Sequence, residues 1–155
     1  MTFKLALGVL ASCAALLAAP AIAADPPANP AGAQPISGTG VYMAFHEKAG
    51  IDRLIDDFVV RISTDPRIAQ RFQGANLDHL RSALKSQVCY LVGGPCVYDG
   101  KDMTAAHAGM GLQNRDFNDL AEDLQKAMDK EGISFQAQNQ LLAKLAPMQR
   151  AIVTK

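Results

Sequence analysis

Apolar residues recur at helical spacing along residues 51–62 of the chain. The repeating set consists of Ile51, Leu54, Ile55, Phe58, Val59 and Ile62. These residues stand at positions i, i+3, i+4, i+7, i+8 and i+11, and such positions share one face of an α-helix. The spacing predicts an amphipathic helix, which ends at Asp65-Pro66 because proline has no backbone N–H to continue the helical hydrogen bonds.

Three further stretches show the same spacing and predict helices from Leu77, from about Asn114 and from Ser134. Their core-facing positions are Leu80, Leu84, Gln87, Val88 and Leu91 in the first, Phe117, Leu120, Ala121, Leu124 and Met128 in the second, and Leu141, Leu142, Leu145 and Ile152 in the third. Glycines follow the first two helices, Ser134 is a suitable N-cap for the third, and Pro147 should kink it. No stretch alternates apolar and polar residues as a strand does, so we predict an all-α fold.

The first 23 residues have the features of an export signal. Met1 to Lys4 is a short basic start, and Leu5 to Leu17 is an apolar run that is shorter than the about 20 residues needed to span a bilayer. Ala21-Ile22-Ala23 supplies the small residues that signal peptidase requires, so we expect cleavage after Ala23 and a periplasmic or secreted protein. The alternative is a lipoprotein anchored through Cys13.

A proline-rich stretch follows the signal. Residues 24–40 contain four prolines among Ala, Gly and Ser, and they predict a tether without helix or sheet. We expect the folded domain to span residues 41–155, a length sufficient for one core. Removing the signal also removes Cys13, and the remaining pair, Cys89 and Cys96, predicts a disulfide in an oxidising compartment, with two unpaired thiols as the alternative.

Composition and charge exclude two broad classes of protein. The 155 residues include 15 Lys and Arg against 15 Asp and Glu, so the chain has no excess of basic residues for binding nucleic acid. Hydrophobic residues make up 49% of the chain, a fraction that argues against disorder. We therefore expect a globular protein whose partners do not include nucleic acid.

Histidine is the remaining residue type that could bind a metal or a cofactor. The chain has three, His46, His79 and His107, without the clustered partners of a structural zinc site, and it lacks the glycine motifs of hydrolases and nucleotide-binding proteins. Small residues surround His107, and Met103 and Leu112 lie near it as apolar lining for a pocket. Neutral imidazole is an axial ligand of haem iron. The residues alone leave open whether His107 binds a cofactor or is a surface or hydrogen-bonded core histidine.

Several short motifs follow one another between residues 41 and 153. They are Ile55-Asp56-Asp57-Phe58, Asp65-Pro66-Arg67, Phe72-Gln73-Gly74-Ala75-Asn76-Leu77, Gly93-Gly94-Pro95, Tyr98-Asp99-Gly100-Lys101-Asp102-Met103, Ala106-His107-Ala108-Gly109-Met110-Gly111-Leu112 and Leu145-Ala146-Pro147. Their order and spacing resemble the group I truncated haemoglobins, a globin family with helices stacked two over two around haem. The resemblance implies haem b as the cofactor, with His107 as the proximal ligand of its iron and Phe72 packed on the haem face.

The resemblance also implies a pocket around the haem. The residues expected to form it are Phe58, Val59, Phe72, Leu80, Leu84, Gln87, Met103, His107, Leu112 and Phe117. Many members of the family hold bound oxygen with a distal tyrosine and glutamine, but this chain has Val59 at the tyrosine position and Leu80 and Leu84 in the distal helix, none of which can donate a hydrogen bond. Gln87 and Tyr90 are the candidate replacements. Helical periodicity gives the face on which Gln87 lies but not its rotamer, so its direction stays open.

These residues predict a haem-binding globin that binds a diatomic gas, which could be oxygen, nitric oxide or CO. A redox or electron-transfer role with an unidentified reductase or electron donor is compatible with the same site. No catalytic residue is assigned, and the missing distal tyrosine weakens the case for nitric oxide dioxygenase or peroxidase-like activity. The alternative is a haem-free periplasmic helical module that binds or interacts through the same scaffold.

Overall fold

The structure is a computed structural model that describes residues 29–155, so the predicted signal and Cys13 lie outside the described residues. The helices are α1 (Gly40–Ala44), α2 (Glu47–Thr64), α3 (Leu77–Leu91), α4 (Met103–His107), α5 (Asn114–Lys130), α6 (Phe135–Leu145) and α7 (Gln149–Ile152), with 3₁₀ turns at Ala69–Phe72 and Ala146–Met148. Residues 29–155 contain no strand, and the all-α prediction is confirmed. None of the helices in this range has the length and apolar character that crossing a membrane would need.

The buried face of α2 is the one that the sequence predicts. Its six apolar residues, Ile51, Leu54, Ile55, Phe58, Val59 and Ile62, are each at most 3% exposed. Full burial of a side chain of this size contributes about 1.5–3 kcal/mol. Asp65 leaves the helical conformation ahead of Pro66, because the proline ring disfavours helical backbone in the residue before it.

Two pairs of long helices enclose the core. Helix α2 contacts α3, helix α5 contacts α6, and the two pairs meet where α2 touches α5 and α3 touches α6. The largest fully buried side chains come from both pairs and from the turns between them: Phe45, Ile51, Leu54, Ile55, Ile62, Ile68, Leu91, Met128 and Leu141. This is the two-over-two arrangement that the resemblance to the truncated haemoglobins implies.

Polar side chains and one proline fix where the helices begin and end. Asn76 caps α3 and Asp102 caps α4, each accepting a backbone N–H of the first turn, at 3.0 and 2.9 Å. Ser134 caps α6, as predicted. Pro147 does more than kink the last helix, since α6 stops two residues before it, a 3₁₀ turn carries the proline and α7 follows.

Residues 29–39 pack against the domain, and in this they differ from the predicted tether. Ala31 is fully buried, and the backbone N–H of Ile36 donates to the carbonyl oxygen of Leu91 at 2.8 Å. Prolines exclude helix and sheet from this stretch but do not prevent it from packing. The folded part therefore includes residues well before 41, and we call residues 29–39 the N-terminal strap.

The corner between α3 and α4 requires glycine at position 93. Gly93 has a φ of +85°, which L side chains rarely adopt. A Cβ there would also overlap the carbonyl oxygen of Gly38 and lie 2.7 Å from that of Ile36, both in the strap. A disulfide closes the same corner, with the Cα atoms of Cys89 and Cys96 5.7 Å apart, so the structure contains the pairing that the sequence predicts.

Candidate functional site

A hydrogen bond fixes the orientation of the His107 ring at the end of α4. Its Nδ1 lies 2.8 Å from the carbonyl oxygen of Met103, one helical turn earlier. A carbonyl oxygen can only accept, so Nδ1 carries the hydrogen and the neutral ring has its lone pair on Nε2. The ring is half-buried. An oriented imidazole with an unprotonated Nε2 is suited to bind a metal ion such as haem iron.

The chain after α4 is fastened to the C-terminal tail. The carbonyl oxygen of Leu112 accepts the backbone N–H groups of Thr154 and Lys155, at 3.1 and 3.2 Å. Nearby, the Gln149 amide donates to the side-chain oxygen of Asn114 at 3.0 Å, which ties α7 to the start of α5. The segment that follows His107, the start of α5 and the C-terminus therefore lie together.

The turn that carries Phe72 is attached to the same region. Arg71 precedes it and donates to the carboxylate of Asp116 at 2.9 Å, while a second nitrogen of its guanidinium lies 3.4 Å from the carbonyl oxygen of Met110. Asp116 is only 7% exposed and also accepts the backbone N–H of Gln113 at the start of α5. Phe72 is thus held at the end of the molecule that contains His107.

The apolar stripe of α3 changes in burial along its length. Leu77, Leu80 and Leu84 are half-buried, whereas Val88 and Leu91 on the same stripe are at most 3% exposed. Residues at these intervals face the same direction, so the difference arises from what covers them. The protein covers the second half of the stripe and leaves the first half partly open.

Helices α5 and α6 show the same change. In α5, Phe117 and Leu120 are half-buried while Leu124 and Met128 are buried, and in α6, Leu145 near the C-terminal end is half-buried. These open positions lie toward the end that contains His107, since the start of α5 is attached there. A flat apolar group bound at this end would bury the apolar side chains that the protein leaves half-exposed. Haem is such a group, so the residues present at this end fit haem.

The predicted pocket residues divide by burial. Phe58, Val59, Gln87, Met103 and Leu112 are buried, and Phe72, Leu80, Leu84, His107 and Phe117 are half-buried. The hydrogen bonds described above bring the segments of Phe72, His107, Leu112 and Phe117 to one end. Val59 is fully buried in α2 and, like Leu80 and Leu84, offers only hydrocarbon to its surroundings.

Both candidate polar donors are engaged with the N-terminal strap. The side-chain nitrogen of Gln87 donates to the carbonyl oxygen of Ala31 at 3.0 Å. The hydroxyl oxygen of Tyr90 accepts from the side-chain amide of Asn29 at 2.9 Å. His79 is exposed on α3. The direction of Gln87, which helical periodicity leaves open, is therefore toward the strap.

Sequence reasoning missed the pairing of Arg71 with Asp116. The spacing from Gln113 to Asp116 is that of a capping box and could have identified Asp116 as a residue of the helix start. No local pattern indicates that Arg71, forty-five residues earlier, reaches the same carboxylate.

A charged cluster joins the end of α2 to α5. Arg67 donates to the carboxylates of Asp65 and Glu122, both at 2.6 Å, and its hydrogen bonds lower the pKa of Asp65 to about 2. Asp123 is 3% exposed, and burial together with the nearby Asp65 charge raises the pKa of its carboxyl group. Its Oδ1 lies 3.8 Å from Arg67 and 3.7 Å from Lys126, and its Oδ2 has no hydrogen-bond partner among residues 29–155.

Comparison with known proteins gives one consistent result. Residues 41–154 match the family model described as bacterial-like globin. The group 1 truncated haemoglobin of Nostoc sp. (strain MUN 8820) is 31% identical over 105 residues, which cover 68% of this chain and 89% of the relative. The crystal structure of the truncated haemoglobin from Tetrahymena pyriformis in the Fe(III) form is 25% identical, with a TM-score of 0.71 over 74% of this chain and 98% of that one. The 2/2 haemoglobin from Synechococcus sp. PCC 7002, at 19% identity and a TM-score of 0.68 over 74% and 98%, shares the fold.

Proposed function

Because this chain belongs to the bacterial-like globin family as a truncated haemoglobin, we propose that His107 is the proximal ligand of haem b iron and that the protein binds a diatomic gas at that haem. The observation that carries the proposal is the 2.8 Å hydrogen bond from His107 Nδ1 to the Met103 carbonyl oxygen. That bond keeps the hydrogen on Nδ1 and leaves Nε2 free to coordinate.

Bound haem would supply an iron centre that takes a diatomic ligand and exchanges electrons. The partly open side chains of Phe72, Leu80 and Leu84 are the apolar contacts that would hold its flat surface and exclude water. The side chains of Val59, Leu80 and Leu84 have no hydrogen-bond donor, so these three residues cannot donate a hydrogen bond to a bound ligand. The composition of the pocket therefore favours CO and nitric oxide over long retention of oxygen.

A redox role is the second candidate function, and the same apolar distal residues favour it. Because Val59, Leu80 and Leu84 offer no hydrogen-bond donor to stabilise bound oxygen, the protein is better suited to pass electrons or to react with a ligand than to store oxygen. This role requires a reductase or another electron donor as a partner. The rate of oxidation of the ferrous protein in air tests it, since rapid oxidation supports a redox role and a stable oxygen complex supports gas binding alone.

The test of haem binding uses absorption spectra of the purified protein mixed with haem. We expect a Soret band in the ferric form, a shift on reduction and a further shift with CO, together with a pyridine haemochrome typical of haem b. A protein that folds but shows none of these bands would contradict the proposal and support a haem-free helical module.

We further propose that the protein is exported. The pattern of residues 1–23 supports this, and so does the Cys89–Cys96 disulfide, because disulfides persist in oxidising compartments. The intact mass of the protein from the periplasmic fraction tests it. A chain that starts at Ala24 is the expected result, and a lipid-modified chain that starts at Cys13 would favour the lipoprotein instead.

A further inference from the structure

Gln87 is a buried polar side chain whose two amide hydrogens have separate acceptors. The residue is 7% exposed, and its Nε2 lies 3.0 Å from the carbonyl oxygen of Ala31 and 3.5 Å from the sulfur of Met103. An amide nitrogen has two hydrogens to donate, and a buried donor without an acceptor is costly. Both hydrogens of Gln87 are therefore used within the protein.

Met103 joins Gln87 to His107. Its sulfur accepts from Gln87, and its backbone carbonyl oxygen accepts from His107 Nδ1 at 2.8 Å. Helix α4 has five residues, and a helix of that length has little stability of its own. Its position depends on contacts such as the one at Met103, which is itself 8% exposed.

The other acceptor of Gln87 is firmly held. Ala31 is fully buried, and its backbone N–H donates to the side-chain oxygen of Asn29 at 3.0 Å. The amide nitrogen of Asn29 lies 2.9 Å from both the Ala33 carbonyl oxygen and the Tyr90 hydroxyl oxygen. After Ala31, the backbone N–H of Ile36 donates to the carbonyl oxygen of Leu91, so the strap is tied to α3 on both sides of Ala31.

We propose that Gln87 is a positioning residue for the proximal histidine: it fixes Met103, and through Met103 the ring of His107, to the N-terminal strap. This rests on the proposed role of His107 as the iron ligand. A role as distal hydrogen-bond donor would require the amide to leave both acceptors. The ligand side of the haem therefore depends on Val59, Leu80 and Leu84, and Gln87 acts on the opposite side.

The test replaces Gln87 with methionine, which has nearly the same length and shape but cannot donate. Gln138→Met is the matched control, because Gln138 is 4% exposed and its Nε2 also donates twice, to Asp129 at 2.7 Å and to the Ile133 carbonyl oxygen at 2.9 Å. Those partners lie at the corner between α5 and α6. Both substitutions remove a satisfied buried amide, and only the first touches α4.

Two vibrations separate the proximal role from the distal one. Resonance Raman of the ferrous protein reports the bond between iron and histidine, and infrared spectra of the CO complex report the polarity of the distal side. We expect Gln87→Met to shift the first vibration and leave the second unchanged. We also expect it to speed haem loss by about tenfold, the lower end of the loss in affinity that follows removal of a group that orients a metal ligand. Gln138→Met should change neither vibration.

Two results for Gln87→Met would contradict the inference, and one for the unmodified protein would contradict the proposed function. If Gln87→Met shifts the CO vibration and leaves the iron–histidine vibration in place, Gln87 is a distal donor and the inference is wrong. If neither vibration moves, the residue is only structural and the inference is also wrong. If the unmodified protein binds no haem, the proposed function fails, and this is seen before any variant is made.

Two further measurements keep the inference testable if Gln87→Met folds poorly. Met103→Leu preserves apolar volume and removes only the sulfur acceptor, so it should shift the iron–histidine vibration in the same direction by a smaller amount. Hydrogen exchange of haem-free protein gives a readout that needs no haem. The α4 amides should exchange faster in Met103→Leu than in Gln138→Met, and equal rates would contradict the role of Met103 as the link.

Discussion

Arg71 binds the buried carboxylate of Asp116 through two nitrogens, at 2.9 and 3.3 Å, and so fastens the turn that carries Phe72 to the start of α5. Asp116 is 7% exposed, while Arg71 is about a quarter exposed. An acidic group that loses its partner in such a place is left charged and poorly solvated. The pair is therefore a structural link between the turn that carries Phe72 and the start of α5, at the end of the molecule that contains His107.

Arg71→Met should destabilise the protein by about 1–3 kcal/mol, because it leaves the Asp116 carboxylate without its cation. It should also speed haem loss, since the Phe72 turn is no longer held. Thermal unfolding and haem transfer to an acceptor globin measure the two effects. Arg61→Met is the control, because Arg61 pairs with Asp57 on one helix surface and such a pair contributes only about 0.5 kcal/mol. Equal costs for the two variants would contradict the role of Arg71.

Gly93→Ala should be more destabilising than Gly74→Ala. Both glycines have a φ near +80°, at +85° and +77°. Alanine at either position should therefore lower the free energy of unfolding by about 1 kcal/mol or more, because its Cβ disfavours this backbone conformation. At Gly93 the new Cβ would meet the strap, whereas at Gly74 it would have no contact within 4 Å in the part of the chain that the structure describes. Urea unfolding of the two variants measures the difference, and a strap that did not pack on this corner would give equal costs.

The strap and the corner show where sequence reasoning stops. Helical periodicity predicts the buried face of α2 and the start of α6 at Ser134, because those features depend on residues close in sequence. The strap has no periodicity, and its prolines are typical of a linker. What holds it is a set of contacts with distant residues, such as Ala31 with Gln87, which no local pattern encodes.

The candidate site likewise combines residues that the sequence predicts with side-chain directions that it does not. His107 and the leucines at positions 80 and 84 are predicted as site residues from the motifs that carry the family resemblance, and the structure shows all three half-buried. The direction of Gln87 is not predicted, since periodicity places a Cβ on a helix face but leaves the side-chain rotamer free. The start of α4 at Met103 and the hydrogen bond to its carbonyl oxygen likewise depend on how the chain folds back after the glycine corner.

Asp123→Asn should stabilise the protein at neutral pH. A raised carboxyl pKa in the folded state means that ionisation opposes folding, so the protein loses stability as the pH rises through that pKa. Asparagine removes the charge, and the gain, about 1 kcal/mol or less, should vanish in acid, where the native carboxyl is protonated. Melting temperatures between pH 3 and pH 7 measure it.

Asp65→Asn is a control in which the substitution should change stability in the opposite direction. The pKa of Asp65 is lowered to about 2 from an ordinary value of 3.8, so its charge stabilises the fold above about pH 4 and that contribution is lost as the pH falls toward 2. Asp65→Asn should therefore be less stable than the native protein at neutral pH and converge with it in acid. Parallel pH profiles for the two variants would contradict the assignment.

Reduction of the Cys89–Cys96 disulfide should lower stability by about 2.5 kcal/mol, the loop-closure entropy for a link between residues this close in sequence. Urea unfolding with and without a reductant measures this. The double variant Cys89→Ser, Cys96→Ser should match the reduced protein and should not respond to reductant. Alkylation of the chain that starts at Ala24, which lacks Cys13, followed by mass measurement should find no free thiol, and two labelled thiols would contradict the disulfide.

In the proposed function, His107 holds the haem iron through Nε2. The most direct measurement is the resonance Raman spectrum of ferrous His107→Gly, recorded without and with added imidazole, beside His79→Gly as an exposed histidine control. We expect His107→Gly to lose the iron–histidine vibration and most of its haem affinity, and imidazole to restore a vibration of this type. His79→Gly should resemble the native protein. An unchanged iron–histidine vibration in His107→Gly would contradict this role of His107.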